Sequence, residues 1–287
     1  FGFSSASPIV LSMLAIKNAL YKAWMDALSV EALNKSFYKN LALWYFWALR
    51  QVEFPRGGGA DPAKRASLAV IRMLTRIIFI WFIREKGLVP PDLFDPDALR
   101  RLLKADPAAD RDGDGYYLAV LQNLFFATLN VEMGGARKWA DSGPGMKADR
   151  MVHSLYRHRE LFADPDAALG LFAGIPFLNG GLFECLDREL TDRDFERDPG
   201  LRDLAEREGA AWVLRVDGFS RRPAARPRVP NRVFFGGAEG VDLNQELGTA
   251  GGSWTVPGLV DLLNRYKFTI EENTPLEEEV ALDPELL

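Results

Sequence analysis

The side chains able to do chemistry in this chain are few and scattered, with one exception. From Phe219 to Arg232 the sequence reads FSRRPAARPRVPNR, with five arginines (Arg221, Arg222, Arg226, Arg228 and Arg232), three prolines and no acid. A guanidinium is planar, always charged and carries a fork of donors matched to phosphate oxygens. A proline-stiffened run of arginines therefore suits phosphate contact. A second reading stays open: a solvated loop whose arginines pair with the acidic segment from Glu271 to Leu287, which holds seven acids and no base.

The other candidate constellations are weaker. DRDGDG, Asp110 to Gly115, places Asp110, Asp112 and Asp114 at alternating positions like the first half of a calcium loop. The ninth and twelfth positions of such a loop are then Leu118 and Leu121, where the twelfth needs a bidentate Glu. The expectation is a polar loop that opens a helix. DSGPG, Asp141 to Gly145, has glycines at nucleotide-loop spacing but no apolar strand before it. FFGGAEG, Phe234 to Gly240, follows a strand-like run but has no clear helix after it, so glycines in a connector are the default for both. No lysine has an acid two residues before it, which removes the common metal-dependent nuclease motif. Cys185 is the only cysteine, and His153 and His158 are the only histidines, spaced off a common helical face. No metal site, disulfide or histidine base is expected from them. Glu184 and Asp187 are too isolated to form a catalytic pair. The Asn179-Gly180-Gly181 turn between two apolar arms reads as a packed corner.

These residues must be positioned by a mainly helical scaffold. The 287 residues are 48% hydrophobic, ample for a sizeable core, and a net charge of -5 excludes a generally basic nucleic-acid binder, so any such contact must be a local patch. Helices are expected over Pro8 to Leu28, from Ser29 to about Arg50, and from Asp61-Pro62 to Gly87. The last has apolar positions Leu68, Ile71, Leu74, Ile77, Ile78, Trp81 and Phe82, with Arg65, Arg72 and Arg76 on a solvated face. Further helices are expected after Asp95-Pro96, over Tyr116 to Asn130, over Ala148 to Phe162 and after Asp164-Pro165. Past Ile175 the texture changes. Trp212 to Val216 and Arg232 to Phe235 read as a small hairpin, Val256 to Tyr266 as a helix and Lys267 to Glu271 as a short strand. The greasiest run, Ile77 to Ile83, lies between Arg76 and Arg84 and falls short of the roughly 20 residues of a membrane span. No basic segment precedes the uncharged first sixteen residues, so no signal peptide is expected either. Phe1 as first residue, and a helix start at Asp283-Pro284 just before the last residue, lead us to expect a fragment of a longer protein.

Six phrases carry a resemblance. They are NKSFYKNLALWYFWAL (Asn34 to Leu49), LQNLFFATLN (Leu121 to Asn130), IPFLNGGLFECLD (Ile175 to Asp187), VDGFS (Val216 to Ser220), VPNRVFFG (Val229 to Gly236) and LNRYKFTIEENTPLEEEVALDPELL (Leu263 to Leu287). Together they resemble the region just upstream of the catalytic domain in large bacterial adenine-specific DNA methyltransferases. These are type IIG restriction-modification enzymes and their phage-defence relatives of the BREX kind. The likeness runs from about Leu28 to the C-terminus. It implies a parent that transfers a methyl group from S-adenosylmethionine to the amine of a flipped adenine, read by an Asn/Asp-Pro-Pro-aromatic loop. That tetrapeptide does not occur here. The nearest, NTPL at Asn273, lacks the second proline and the aromatic. The resemblance therefore implies no catalytic residue and no cofactor within these 287 positions.

The expectation is a mainly α multi-helix assembly, with residues 1–174 a helical domain and 175–287 a mixed α/β connector leading into a methyltransferase domain. It would be a non-catalytic, cytoplasmic, DNA-positioning segment whose partners are double-stranded DNA and that neighbouring domain, with no membrane contact. The alternative is a purely structural or protein-interaction module.

Overall fold

The computed structural model describes residues 35–59, 61–134, 137–140, 152–178, 181–197, 199–202, 213–269 and 279–281. The expected helix over Pro8 to Leu28, the DSGPG loop, Asn179-Gly180 and most of the acidic segment lie outside the described residues. The chain divides into two compact units, residues 43–261 and residues 1–42 with 262–287. The fold is mainly helical, and among the described residues the strands occur only as short pairs.

Asp-Pro dipeptides start three helices as the capping rules require. Asp61 accepts from the amides of Ala63 and Lys64 to open α2 (Pro62–Glu85). Asp95 accepts from Ala98 to open α3 (Pro96–Leu102), and Asp164 accepts from Asp166 and Ala167 to open α5 (Pro165–Ala173). Residues 35–49 form α1. The centre of the larger unit is α4 (Tyr116–Leu129), buried on every side. It is wound in wide π turns, and Thr128 Oγ1 donates 2.9 Å to the carbonyl of Asn123, five residues back. Because α4 is fully enclosed, its polar side chains must find partners inside. Asn123 exchanges hydrogen bonds with the backbone of residue 157, both at 2.8 Å, and Gln122 Nε2 donates 3.1 Å to the Asp217 carbonyl.

Asn231 fixes the start of α4 from outside the helix. Its Oδ1 accepts from the Tyr116 amide at 3.1 Å, its Nδ2 donates 2.8 Å to the Asp110 carbonyl, and its own amide donates 2.7 Å to the Gly113 carbonyl. The DRDGDG loop is thus a dock for residues 231–232, and Asp112 pairs with Arg232 at 2.5 Å. Trp44 on α1 donates Nε1–H 2.8 Å to the Val233 carbonyl. These bonds hold residues 231–233 in a single tight 3-10 turn. The strand expected from Arg232 to Phe235 is therefore corrected: its backbone groups are spent on α1 and the 110–113 loop.

The remaining strands pair locally. β1 (Lys138–Trp139) runs parallel to β2 (Leu155–Tyr156), β3 (Arg188–Glu189) antiparallel to β4 (Val213–Leu214), and β5 (Ala238–Val241) antiparallel to β6 (Trp254–Val256). FFGGAEG accordingly leads from the 231–233 turn into β5 rather than following a strand. The helix expected through Phe162 is also corrected: residues 155–156 are strand and His158 takes φ +63, a left-handed conformation that ends any helix. Short helices α6 (Asp192–Arg197), α7 (Asn244–Leu247) and α8 (Leu259–Leu263) complete the elements between them, with α8 shorter than expected because residues up to Val256 pair as strand. In the smaller unit the Tyr266 ring meets Phe37 edge-on at 5.0 Å, and its hydroxyl accepts from Asn40 Nδ2 at 3.2 Å. There β7 (Lys267–Thr269) pairs in parallel with β8 (Glu279–Ala281).

Helix α2 departs from expectation on two counts. Its buried side is Ala69, Val70, Met73, Arg76, Ile77, Ile80, Trp81 and Ile83, whereas Leu68 and Ile71 are exposed. The helix also runs unbroken through Arg76, so by length and composition it is long and apolar enough to cross a membrane, at mean hydropathy 1.9 over its most apolar window. In the folded chain 44% of that window is buried in the protein itself.

Candidate functional site

Two groups of arginines organise the larger unit. The first is internal. Arg76, on the buried side of α2, reaches Asp217 at 3.0 Å and also donates to the carbonyls of Leu182 and Glu184 at 2.8 and 2.9 Å. The other carboxylate oxygen of Asp217 accepts from the Leu186 amide at 2.7 Å. Beside it, Asp187 sits in a cup of backbone donors. Its Oδ1 accepts from Val216, Asp217 and Gly218 and its Oδ2 from Phe219, all within 2.7–2.9 Å, and Arg215 lies 3.2 Å away. Such successive amides form a nest that holds an anion, here the protein's own. Arg76 is therefore no part of a solvated face.

Burial shifts two titratable groups beside the internal cluster. Burial, reinforced by Asp187 and Asp217, pushes the Cys185 thiol far up, away from the thiolate a nucleophile needs. Burial and then Arg157 push His153 down to about 4, so it stays neutral near pH 7. Arg157 lies over the Phe219 ring at 3.9 Å. Among the described residues no group of three or more His, Cys, Asp or Glu could hold a metal ion. Asp110, Asp112 and Asp114 accordingly do not converge.

The second group lines a surface cleft of about 410 Å³, bounded by Glu53, Phe54, Pro55, Arg56, Arg65, Pro223, Ala224, Arg226 and Arg228. One wall is the connector between α1 and α2; the other is the arginine segment. After a 3-10 turn at Pro223–Ala225, that segment alternates: Ala225, Pro227 and Val229 are buried, while Arg226 is half-buried and Arg228 exposed. An extended backbone sends neighbours to opposite sides, so buried anchors on one side aim both arginines into the cleft.

The walls are joined main chain to main chain. Glu53 and Arg228 exchange amide-to-carbonyl bonds of 2.9 and 2.8 Å. Gly57 lies so close to the Arg215 backbone that a Cβ there would overlap its carbonyl. Gly218, at φ +64, has Pro55, Ala225 and Pro227 at 2.8 Å from where a Cβ would stand. The Asp187 nest, which fixes residues 215–219, thereby also fixes the start of the arginine wall. Arg65 is braced by bonds to the carbonyls of Phe54 and Gly59 at 3.2 and 2.7 Å. Neither Arg226 nor Arg228 forms an ion pair with the described residues.

Of the five arginines expected to contact phosphate, the structure brings two, Arg226 and Arg228, to this cleft. Arg221 is half-buried and Arg222 exposed, both off the cleft, and Arg232 is turned to Asp112. Arg56 and Arg65 are the members that sequence reasoning missed. In the sequence Arg65 falls on the polar face of α2, and Arg56 stands alone in a glycine-rich connector, where no spacing links it to residue 226. Arg226 and Arg228, with Arg56 and Arg65 beside them, bring several guanidinium groups to one cleft, an arrangement that can order phosphate oxygens. No family model, no curated protein and no solved structure matches the chain.

Proposed function

We propose that this chain is a non-catalytic, DNA-positioning segment of an adenine-specific DNA methyltransferase in a restriction-modification or phage-defence system. It would lie upstream of the catalytic domain of the same cytoplasmic protein. The observation that carries the reading is the convergence of Arg226 and Arg228, which form no ion pair with the described residues, with Arg56 and Arg65 in one cleft. Double-stranded DNA supplies closely spaced phosphates to such a cleft without any base being read. S-adenosylmethionine would bind the neighbouring domain.

The phrases that resemble the methyltransferases also meet one another. Asp187 of IPFLNGGLFECLD sits in the amides of VDGFS, Gln122 of LQNLFFATLN bonds Asp217, and Trp44 reaches Val233 of VPNRVFFG. They act as one packing unit, as a shared scaffold requires.

The test is salt-titrated binding of the full 287-residue chain to a short duplex. The reading expects measurable affinity that falls steeply with salt, and a slope reduced by about 1 for each of Arg226→Ala and Arg228→Ala. A double variant that binds like the parent would remove the cleft from the function. A second reading, a protein-interaction module without nucleic-acid contact, draws on Leu68 and Ile71, exposed one turn apart on α2. It expects no duplex affinity at any salt concentration.

A further inference from the structure

The cleft contains one residue that a site for bare phosphate should not have. Glu53 lines it together with the four arginines, yet its carboxylate forms no ion pair with any described residue. Its main chain is bonded in both directions to that of Arg228, which fixes its backbone where the two walls join, and its side chain is exposed at the cleft. An ionised carboxylate only accepts hydrogen bonds, and beside a polyanion it repels. It becomes favourable only when the anion brings a donor of its own.

We infer that the cleft takes a single nucleotide unit, with the phosphate held by Arg226 and Arg228 and a sugar hydroxyl or base amine donating to Glu53. The inference rests on reading the cleft as a phosphate site and adds what is attached to the phosphate. The volume of about 410 Å³ falls in the range of small-molecule pockets and leaves room for a sugar and base beside the phosphate. Pro55 and Pro223 offer rigid apolar surfaces on the two walls against which a ring can lie. The same chemistry is presented by a free nucleotide and by one residue of a single strand.

Equilibrium titrations of the full chain with AMP, inorganic phosphate and a five-residue oligo-deoxyadenylate separate these cases. A hydrogen bond to a charged acceptor makes AMP roughly tenfold tighter than inorganic phosphate. Glu53→Ala should bring that ratio to within about twofold, partly by strengthening phosphate, while Glu53→Gln, which keeps an acceptor without the charge, retains a preference. Competition of the pentamer with AMP identifies a strand as the source; AMP binding without such competition identifies a free nucleotide. Equal affinity for AMP and phosphate in the parent, or a ratio untouched by Glu53→Ala, overturns the inference. If duplex binding still depends on Arg226 and Arg228 in that event, the phosphate-site reading stands and only the nucleotide assignment falls. If neither these ligands nor the duplex binds, both fall together.

Discussion

Arg76 and Arg215 on one side, and Arg226 and Arg228 on the other, put the same guanidinium to opposite uses within one unit of the chain. Arg76 is 3% exposed and holds a carboxylate and two carbonyls; Arg226 and Arg228 face a cleft with no acid paired to them. The division follows from what the backbone lays opposite each side chain. Asp187 and Asp217 are enclosed with the internal pair, whereas the buried anchors Ala225, Pro227 and Val229 leave the outer pair facing away from the protein. A buried charge is costly unless partnered, so Arg76 is spent on holding the fold together, while Arg226 and Arg228 form no ion pair with the described residues.

The hardest way to break this comparison is to remove an internal member. Arg76→Met leaves Asp217 buried without its cation and two carbonyls without a donor. It should lower stability by about 3–5 kcal/mol, read as an earlier midpoint in urea. A loss below about 1 kcal/mol would mean that the two groups are not different in kind.

How far the sequence anticipates this arrangement depends on the range of each interaction. The Asp-Pro starts of α2, α3 and α5 were legible because a cap bonds to amides two or three residues away. The outward aim of Arg226 and Arg228 was legible in principle, since arginine alternates with Ala225, Pro227 and Val229. The place of Arg76 was not. Its partner is 141 residues away, and without that carboxylate an arginine beside an apolar stripe reads as solvated. The Asp187 nest left no trace either, because backbone amides accept no signature residue type. The apolar run Val233-Phe234-Phe235 looked like a strand for a related reason: the pattern shows burial, but the Trp44 and Asn231 bonds decide the backbone.

A gentler disturbance acts where the two groups touch. Gly57→Ala places a methyl group against the Arg215 backbone, which has no flexible end to yield. Overpacking of this sort costs about 1–3 kcal/mol. The comparison predicts a second consequence: because Gly57 adjoins Arg56 and Arg215 adjoins the Asp187 nest, duplex affinity should fall although no arginine has changed. Thermal unfolding and the salt titration, run on the same variant, check both. Stability lost with affinity intact would show the cleft to be independent of the internal network.

The internal group also carries a pH signature. His153 has a folded pKa of about 4 against 6.5 unperturbed, lowered by burial and by Arg157 and Arg215, and opposed by Asp187 and Asp217. The unfolded chain therefore takes up the proton first. Stability from this group is complete above pH 6.5 and is lost progressively as pH falls towards 4. Glu160, held down to about 2 chiefly by the His158 ring, whose Nδ1 lies 3.5 Å from its carboxylate, loses its contribution in the same direction but only below about 4.5. Denaturant midpoints between pH 6.5 and 4.5 thus isolate His153, and His153→Gln should flatten the curve in that window.

The smallest expected effect is the sharpest test of where the boundary between the groups falls. Arg232 belongs to the same sequence run as Arg226 and Arg228, but it pairs with Asp112 at side-chain exposures of 31% and 71%. A solvent-exposed pair of this kind contributes about 0–1 kcal/mol, so Arg232→Ala should unfold nearly as the parent does. Its charge is already partnered and lies off the cleft, so the slope of duplex affinity against salt should not change, while Arg226→Ala and Arg228→Ala each lower it by about 1. If all three substitutions reduced the slope alike, the arginine run would be acting as a diffuse positive strip, and the alternation that singles out residues 226 and 228 would have no part in binding.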